Sequence, residues 1–148
     1  ELARAIGKVH ADRYGSWYGY AENYIYEVKR NGYYATTPSG RRRKILELRS
    51  RDPETYAHGK RAAVNHGIQG WAADIIKMTI ARITPILKDY GAHLALTVHD
   101  ELDGWVPESA DLAAFSRDMI GAMTDWDIGT VPLVVDGGIG DSWAGPFK

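Results

Sequence analysis

The sequence predicts an α+β fold in which an antiparallel sheet, including an acidic hairpin, packs against long helices. Two observations carry this. Ala72, Ile75, Ile76, Ile80, Ile83 and Leu87 recur at helical spacing and should face a core. Further on, His93 to Val98 and Leu102 to Val106 are short apolar runs on either side of His99-Asp100-Glu101, as the arms of a hairpin would be. Strands mixed with packed helices give the α+β class. The 148 residues suffice for one domain with a real core.

Each element has a local reason. Residues 1 to about 30 read as one aromatic-rich helix carrying Tyr14, Trp17, Tyr18, Tyr20, Tyr24 and Tyr26, weakened by Gly15 and Gly19. Asn31-Gly32 stops it. Tyr33 to Thr37 reads as a short strand, Pro38-Ser39-Gly40 as a tight turn, and Arg41 to Leu48 as a second, basic strand. Pro53 suits the first turn of a new helix with Asp52 as its N-cap. That helix should run to about Lys88, with a kink near Gly67 and Gly70 and a bend at Pro85. Tyr90-Gly91 ends it, and the acidic hairpin follows. Glu108 to Thr124 reads as a further helix and Val131 to Val135 as a last strand, before the glycine-rich tail Gly137-Gly138-Ile139-Gly140.

Composition narrows the class. Hydrophobic residues make up 45% and charged residues 25%, as in an ordinary globular protein. There are no cysteines, which excludes a disulfide framework and a thiolate zinc site and suits a reducing compartment. No apolar run reaches about 18 residues, so no membrane span is expected. The first residues lack the shape of a signal peptide, and no initiator methionine is present, which suits numbering from a cut or processed end. The net charge of −1 does not mark a general nucleic-acid binder, but its distribution is uneven. Between Arg41 and Arg61 there are eight Lys/Arg against three Asp/Glu, a net of +5; from Asp89 to Lys148 there are two against eleven, a net of −9. One region could hold a polyanion and the other cations; a solvated basic loop beside an acidic surface accounts for the charges equally well.

Three groups of residues could carry chemistry. Asp100 and Glu101 place adjacent carboxylates at a hairpin tip, and magnesium often uses only one or two protein carboxylates plus substrate phosphates. Neighbouring strand residues point to opposite faces, so the two would be unequal ligands unless the turn rotates one. A solvated turn is the plain alternative. Arg61, Asn65 and Gln69 lie at i, i+4 and i+8, along one helix face, where a cation can meet phosphate and two carboxamides can reach groove acceptors. An exposed polar face opposite the isoleucine stripe explains them too. Gly40-Arg41-Arg42-Arg43-Lys44 could track a phosphate backbone or be a surface charge cluster. His10, His58, His66 and His93 show no metal-ligand spacing, which counts against a stand-alone phosphohydrolase built on His99-Asp100.

The order of these pieces is more specific than any one of them. Gly32-Tyr33, Gly40-Arg41-Arg42-Arg43, Arg61 with Asn65, Gln69-Gly70 with Ala72-Ala73-Asp74-Ile75-Ile76-Lys77, and Val98-His99-Asp100-Glu101-Leu102 follow one another. Together they resemble the C-terminal third of a family A DNA polymerase domain, of the bacterial polymerase I kind. The tail from Gly138 to Trp143 is similar to how such chains end. The resemblance covers nearly all of the chain. It implies a partial polymerase domain over residues 1–148: a palm-type antiparallel sheet whose hairpin bears a metal-binding aspartate, with adjoining fingers helices.

In residue terms, the resemblance implies that Asp100 binds the catalytic metals, that Glu101 supports it, and that His99 lies near the primer terminus. It implies template and minor-groove contacts for Arg61, Asn65 and Gln69, with a hypothetical part in fidelity for the two amides. It places Arg41, Arg42 and Arg43 near the duplex backbone. Two magnesium ions, primer-template DNA and a deoxynucleoside triphosphate are the implied cofactor and partners, in the cytoplasm of a bacterium or a phage-infected host. Gly67 stands where the family usually has proline, and Trp71 where a small residue is usual. A looser backbone and an indole in need of space are therefore expected there. The family's Asp-x-Ser-x-x-Glu element and its nucleotide-binding helix are not found in these residues. A second aspartate and the triphosphate-binding cations are expected from a larger polymerase segment or subunit. The aromatics of the first helix would suit an interface with it. The alternative within this resemblance is a nucleic-acid-binding module without catalysis.

Overall fold

The computed structural model describes residues 2–142, apart from the side chain of Arg4; Trp143 of the tail motif lies outside the described residues. The chain divides into two compact units, Glu1–Asp74 and Ile75–Lys148.

The first unit opens with α1 (Leu2–Arg13) and α2 (Gly15–Arg30) rather than with one helix. Tyr14 sits between them at φ −116° and ψ 37°, outside the helical region, and the weak helix former Gly15 follows it. Asn31 closes α2, and the Tyr33 N–H then returns to the Val28 carbonyl at 2.8 Å. The chain continues into β1 (Tyr34–Thr36), which pairs antiparallel with β2 (Arg42–Lys44). The second strand is shorter than expected. After Lys44 the backbone tightens into a 3₁₀ turn, Leu46–Arg49, which brings Ile45 and Leu48 inward together. They join Ile25, Val28, Ala35, Ala63 and Val64 in one apolar core, with Tyr24, Tyr33 and Tyr56 packed on it.

Helix α3 (Pro53–Asp89) starts as the sequence predicts: the Asp52 carboxylate accepts the Thr55 N–H at 2.7 Å. It is helical throughout, across Gly67, Gly70 and Pro85. Its glycines serve packing. A Cβ on Gly59 would lie 2.8 Å from the Cβ of Glu47, and one on Gly70 would lie 3.0 Å from Thr37. At Gly67 a Cβ would meet the Tyr24 ring at 3.1 Å, so the backbone there is closely covered rather than loose.

In the second unit, the buried line of the same helix runs through Ile75, Thr79, Ile83 and Leu87, spaced by four. Ile76 and Ile80 flank it half-buried, and Ala72, expected in the stripe, is exposed. Gly91, at φ +65°, ends the helix. Its N–H reaches the Lys88 carbonyl at 3.2 Å and the Ala92 N–H reaches that of Leu87 at 2.7 Å, a Schellman closure. Strands β3 (His93–Val98) and β4 (Glu101–Trp105) form the antiparallel hairpin. Gly104 allows the close approach of His93, whose carbonyl oxygen would stand 2.5 Å from any added Cβ.

Two expectations fail after the hairpin. Helix α4 is Leu112–Thr124, not Glu108 onward: the segment after Pro107 first makes a turn, and Asp111 caps the helix by accepting the Ala114 N–H at 3.0 Å. No strand forms at Val131 to Val135. An extended run becomes a strand only when a ladder partner satisfies it, and none among the described residues does so. Val131 and Val134 are instead 70% and 80% exposed. Among the described residues the strands thus form two hairpins, one per unit.

Arg82 fastens the end of α4. It donates to the Ala122 carbonyl at 3.2 Å and to that of Asp125, and its guanidinium lies 3.7 Å from the Trp126 ring centre. Trp126 in turn donates to buried Thr79 at 3.2 Å. Arg82→Ala is expected to destabilise the second unit by about 2 kcal/mol, measured by chemical denaturation with tryptophan fluorescence. Arg82→Lys should recover less than half of that, because an ammonium cannot present the same planar fork.

Candidate functional site

The carboxylates sit where strand geometry leaves them most open. Val98 pairs with Glu101, so the hairpin turn consists of His99 and Asp100 alone. His99 has φ +56°, in the left-handed region that favours glycine. Such a conformation strains a side-chain-bearing residue and persists only where its surroundings hold it. His99, Asp100 and Glu101 are all exposed. The ion pairs among the described residues use the carboxylates of Glu27, Asp74 and Asp125, leaving Asp100 and Glu101 uncommitted. Asp100 belongs to the turn while Glu101 begins β4, so the two stand on different backbone geometry.

An exposed, uncommitted carboxylate oxygen fits a hard divalent cation. It is one ligand, not a shell: no group of three or more His, Cys, Asp or Glu among the described residues could hold a metal by itself. The hairpin around it is also bare. It is two-stranded, Trp105 is 70% exposed, and Leu96 and Val98 are exposed too. Asp103, on the same strand face as Glu101, has a buried Oδ2 without a hydrogen-bond partner among the described residues.

The first unit carries the candidate nucleic-acid residues. Arg61, Asn65 and Gln69 are all exposed on α3, along the line their spacing predicts. Trp71 is half-buried, so its indole does find cover. Of the six aromatics in the first thirty residues, Tyr24 is half-buried and donates to the Thr36 carbonyl at 3.1 Å; the other five are exposed.

The three arginines are not alike. Arg41 pairs with the carboxylate of Asp74, a residue that sequence reasoning did not single out. Asp74 is only 6% exposed. Its Oδ2 accepts the Thr37 hydroxyl at 2.9 Å and the Ser39 hydroxyl, while Oδ1 faces Arg41. Burial pushes this carboxyl up, but the two hydroxyls and the guanidinium outweigh burial and hold it below the usual carboxylate range. A signal for Asp74 was present. It falls four residues after Gly70 and eleven after Ala63, on the packed face of α3. Arg42 and Lys44 rest on the ring of Tyr34, at 4.1 and 5.4 Å from its centre, and Arg43 stands exposed on the opposite strand face, across from Ala35.

Comparison with known proteins adds an independent finding. The model for DNA polymerase family A matches residues 1–145. A thermostable DNA polymerase I from Thermus thermophilus is 35% identical over 124 residues, 82% of this chain and 14% of that protein. DNA polymerase I from Mycobacterium leprae is 34% identical over 150 aligned residues, 97% of this chain and 16% of that protein. The solved POL domain of Pol1 from M. smegmatis, in complex with DNA primer-template and dNTP, superposes with a TM-score of 0.85 at 33% identity, over 96% of this chain and 25% of that one. This chain therefore spans about a sixth or less of the curated relatives it matches and a quarter of the solved polymerase domain.

Proposed function

We propose, because this chain belongs to DNA polymerase family A, that it is the C-terminal palm portion, with adjoining fingers helices, of a DNA-directed DNA polymerase. The observation that carries the reading is Asp100, an exposed and uncommitted carboxylate at the tip of a hairpin in a chain of this family. Asp100 supplies one oxygen ligand for magnesium, and Glu101 adds negative charge beside it. When bound, the divalent cations lower the pKa of the primer 3′-hydroxyl and stabilise charge on the transferring phosphoryl group. His99, held at the first position of the turn, lies beside the primer end. Arg61 neutralises template phosphate. Asn65 and Gln69 donate to minor-groove acceptors that every base pair presents, which tests the shape of a new pair rather than its sequence.

One carboxylate does not make a two-metal site. A larger segment, in the same chain or in a second one, supplies the other aspartate and the cations that hold the triphosphate. The bare hairpin, the five exposed aromatics between Tyr14 and Tyr26, and the Val131 to Val135 run, unpaired among the described residues, support such a neighbour. The DNA and nucleotide bound by the M. smegmatis domain support primer-template and dNTP as the partners. A cytoplasmic location fits these partners, and among the described residues no helix is long and apolar enough to cross a membrane.

The test is native mass spectrometry of the protein purified from its source, followed by primer extension on each species. Activity should appear only in a species larger than this chain. Extension by these 148 residues alone would overturn the proposal.

A further inference from the structure

The hairpin of the first unit sorts its four consecutive basic residues by what lies beneath each one. Arg41 is turned to Asp74, and Arg43 is exposed, with no ion-pair partner among the described residues. Arg42 and Lys44 share the outer face of β2, about 7 Å apart along the strand. Tyr34 is directly opposite Lys44 and diagonal to Arg42, and its ring lies under both cations. The arrangement follows from register. A one-residue slip would put Arg43 over the ring and send the other two away.

We infer that Tyr34 is a positioning residue that presents Arg42 and Lys44 as a fixed pair to consecutive phosphates of the DNA duplex. The inference rests on the proposed polymerase function and goes beyond it. It selects Arg42 and Lys44 as the backbone-contacting cations, withholds Arg41 for the Asp74 contact, and gives the selection a cause. Long basic side chains lose much rotamer freedom when they take up one geometry on a phosphate. A ring that already holds them in the free protein removes part of that loss and leaves their charge unchanged. Each ring face is also electron-rich, so the cations stay over Tyr34 without a carboxylate that would compete with DNA. Neither Arg42 nor Lys44 has an ion-pair partner among the described residues.

Charge and pre-organisation separate in a salt titration. The assembled polymerase, with any companion segment present, is titrated with a fluorescent primer-template duplex at several salt concentrations. Removing both charges in R42A/K44A should weaken binding and reduce the slope of log affinity against log salt by about two. Y34L should weaken binding about fivefold with the slope unchanged, because the charges remain. Y34F keeps the ring and should bind within about twofold of the unchanged protein. In the R42A/K44A background, Y34L should have no further effect. A Y34L loss that persists in that background, or that Y34F does not restore, makes the ring merely structural and overturns the inference. Y34L binding like the unchanged protein, while R42A/K44A is weaker, overturns it as well. R42A/K44A with full affinity and slope removes these two cations from the duplex contact and leaves the polymerase function standing. Failure of the assembled protein to bind the duplex at all would overturn that function itself.

Discussion

Replacing Asp100 with alanine is expected to reduce primer extension by the assembled polymerase by at least about 10³-fold. Primer-template affinity should stay within about twofold. The two effects separate because of where the residue sits. Asp100 is exposed in a two-residue turn and is absent from the core cluster of its unit, so removing it leaves no cavity and no unpaired buried group. What is lost is a hard oxygen ligand close to charge that develops in the transition state, and that loss falls on the rate of chemistry. Glu101→Ala should be milder, about tenfold, because Glu101 is fixed in the β4 ladder opposite Val98 and adds charge beside the ion rather than the ligand at the turn. Single-turnover extension with magnesium, alongside duplex binding, measures both. Unchanged synthesis in Asp100→Ala would leave a nucleic-acid-binding module and remove the catalytic role.

The parts of this protein that were legible in the sequence are those decided locally. The Asp52 cap, the Gly91 stop, the Pro38-Ser39-Gly40 turn and both arms of the acidic hairpin each depend on a few neighbouring residues, and the structure has them. So do the exposed positions of Arg61, Asn65 and Gln69, which follow from a period of 3.6. What was not legible depends on partners distant in sequence. Gly67 reads as a loose point until Tyr24, far earlier in the chain, fills the space beside it. The strand expected at Val131 to Val135 has the right residues but no ladder partner among those described. Four adjacent basic residues look equivalent in the sequence. They differ because Asp74 takes one and Tyr34 takes two, and both choices are made by strand pairing and helix packing.

Asp74→Ala is expected to destabilise the first unit by about 3 kcal/mol. The carboxylate is buried and accepts from two hydroxyls and a guanidinium, and its removal leaves the Thr37 and Ser39 hydroxyls only each other, 2.8 Å apart, and Arg41 without its counter-ion. Thr37 also accepts the Arg41 N–H at 3.1 Å, and its own N–H donates to the Arg41 carbonyl at 2.9 Å, so the whole turn loosens with it. The cost stays below that of a fully buried pair because Arg41, with 39% of its side chain exposed, can turn to water. Acid should reproduce the mutation. In the fold the Asp74 carboxyl is held below its ordinary value, whereas in the unfolded chain it titrates near about 3.9. Folding therefore releases a proton in this range, so the contribution of Asp74 is complete above the unfolded value and disappears as pH falls through the folded one. Denaturation followed from about pH 6 down to pH 2 should show the unchanged protein losing stability more steeply below about pH 5 than Asp74→Ala, with the two curves converging at the acid end. Asp74→Asn keeps the shape but not the charge and should lie between them. Parallel curves for all three proteins would show that Asp74 is not held as an anion in the fold, and the pairing role of Arg41 would fall with it.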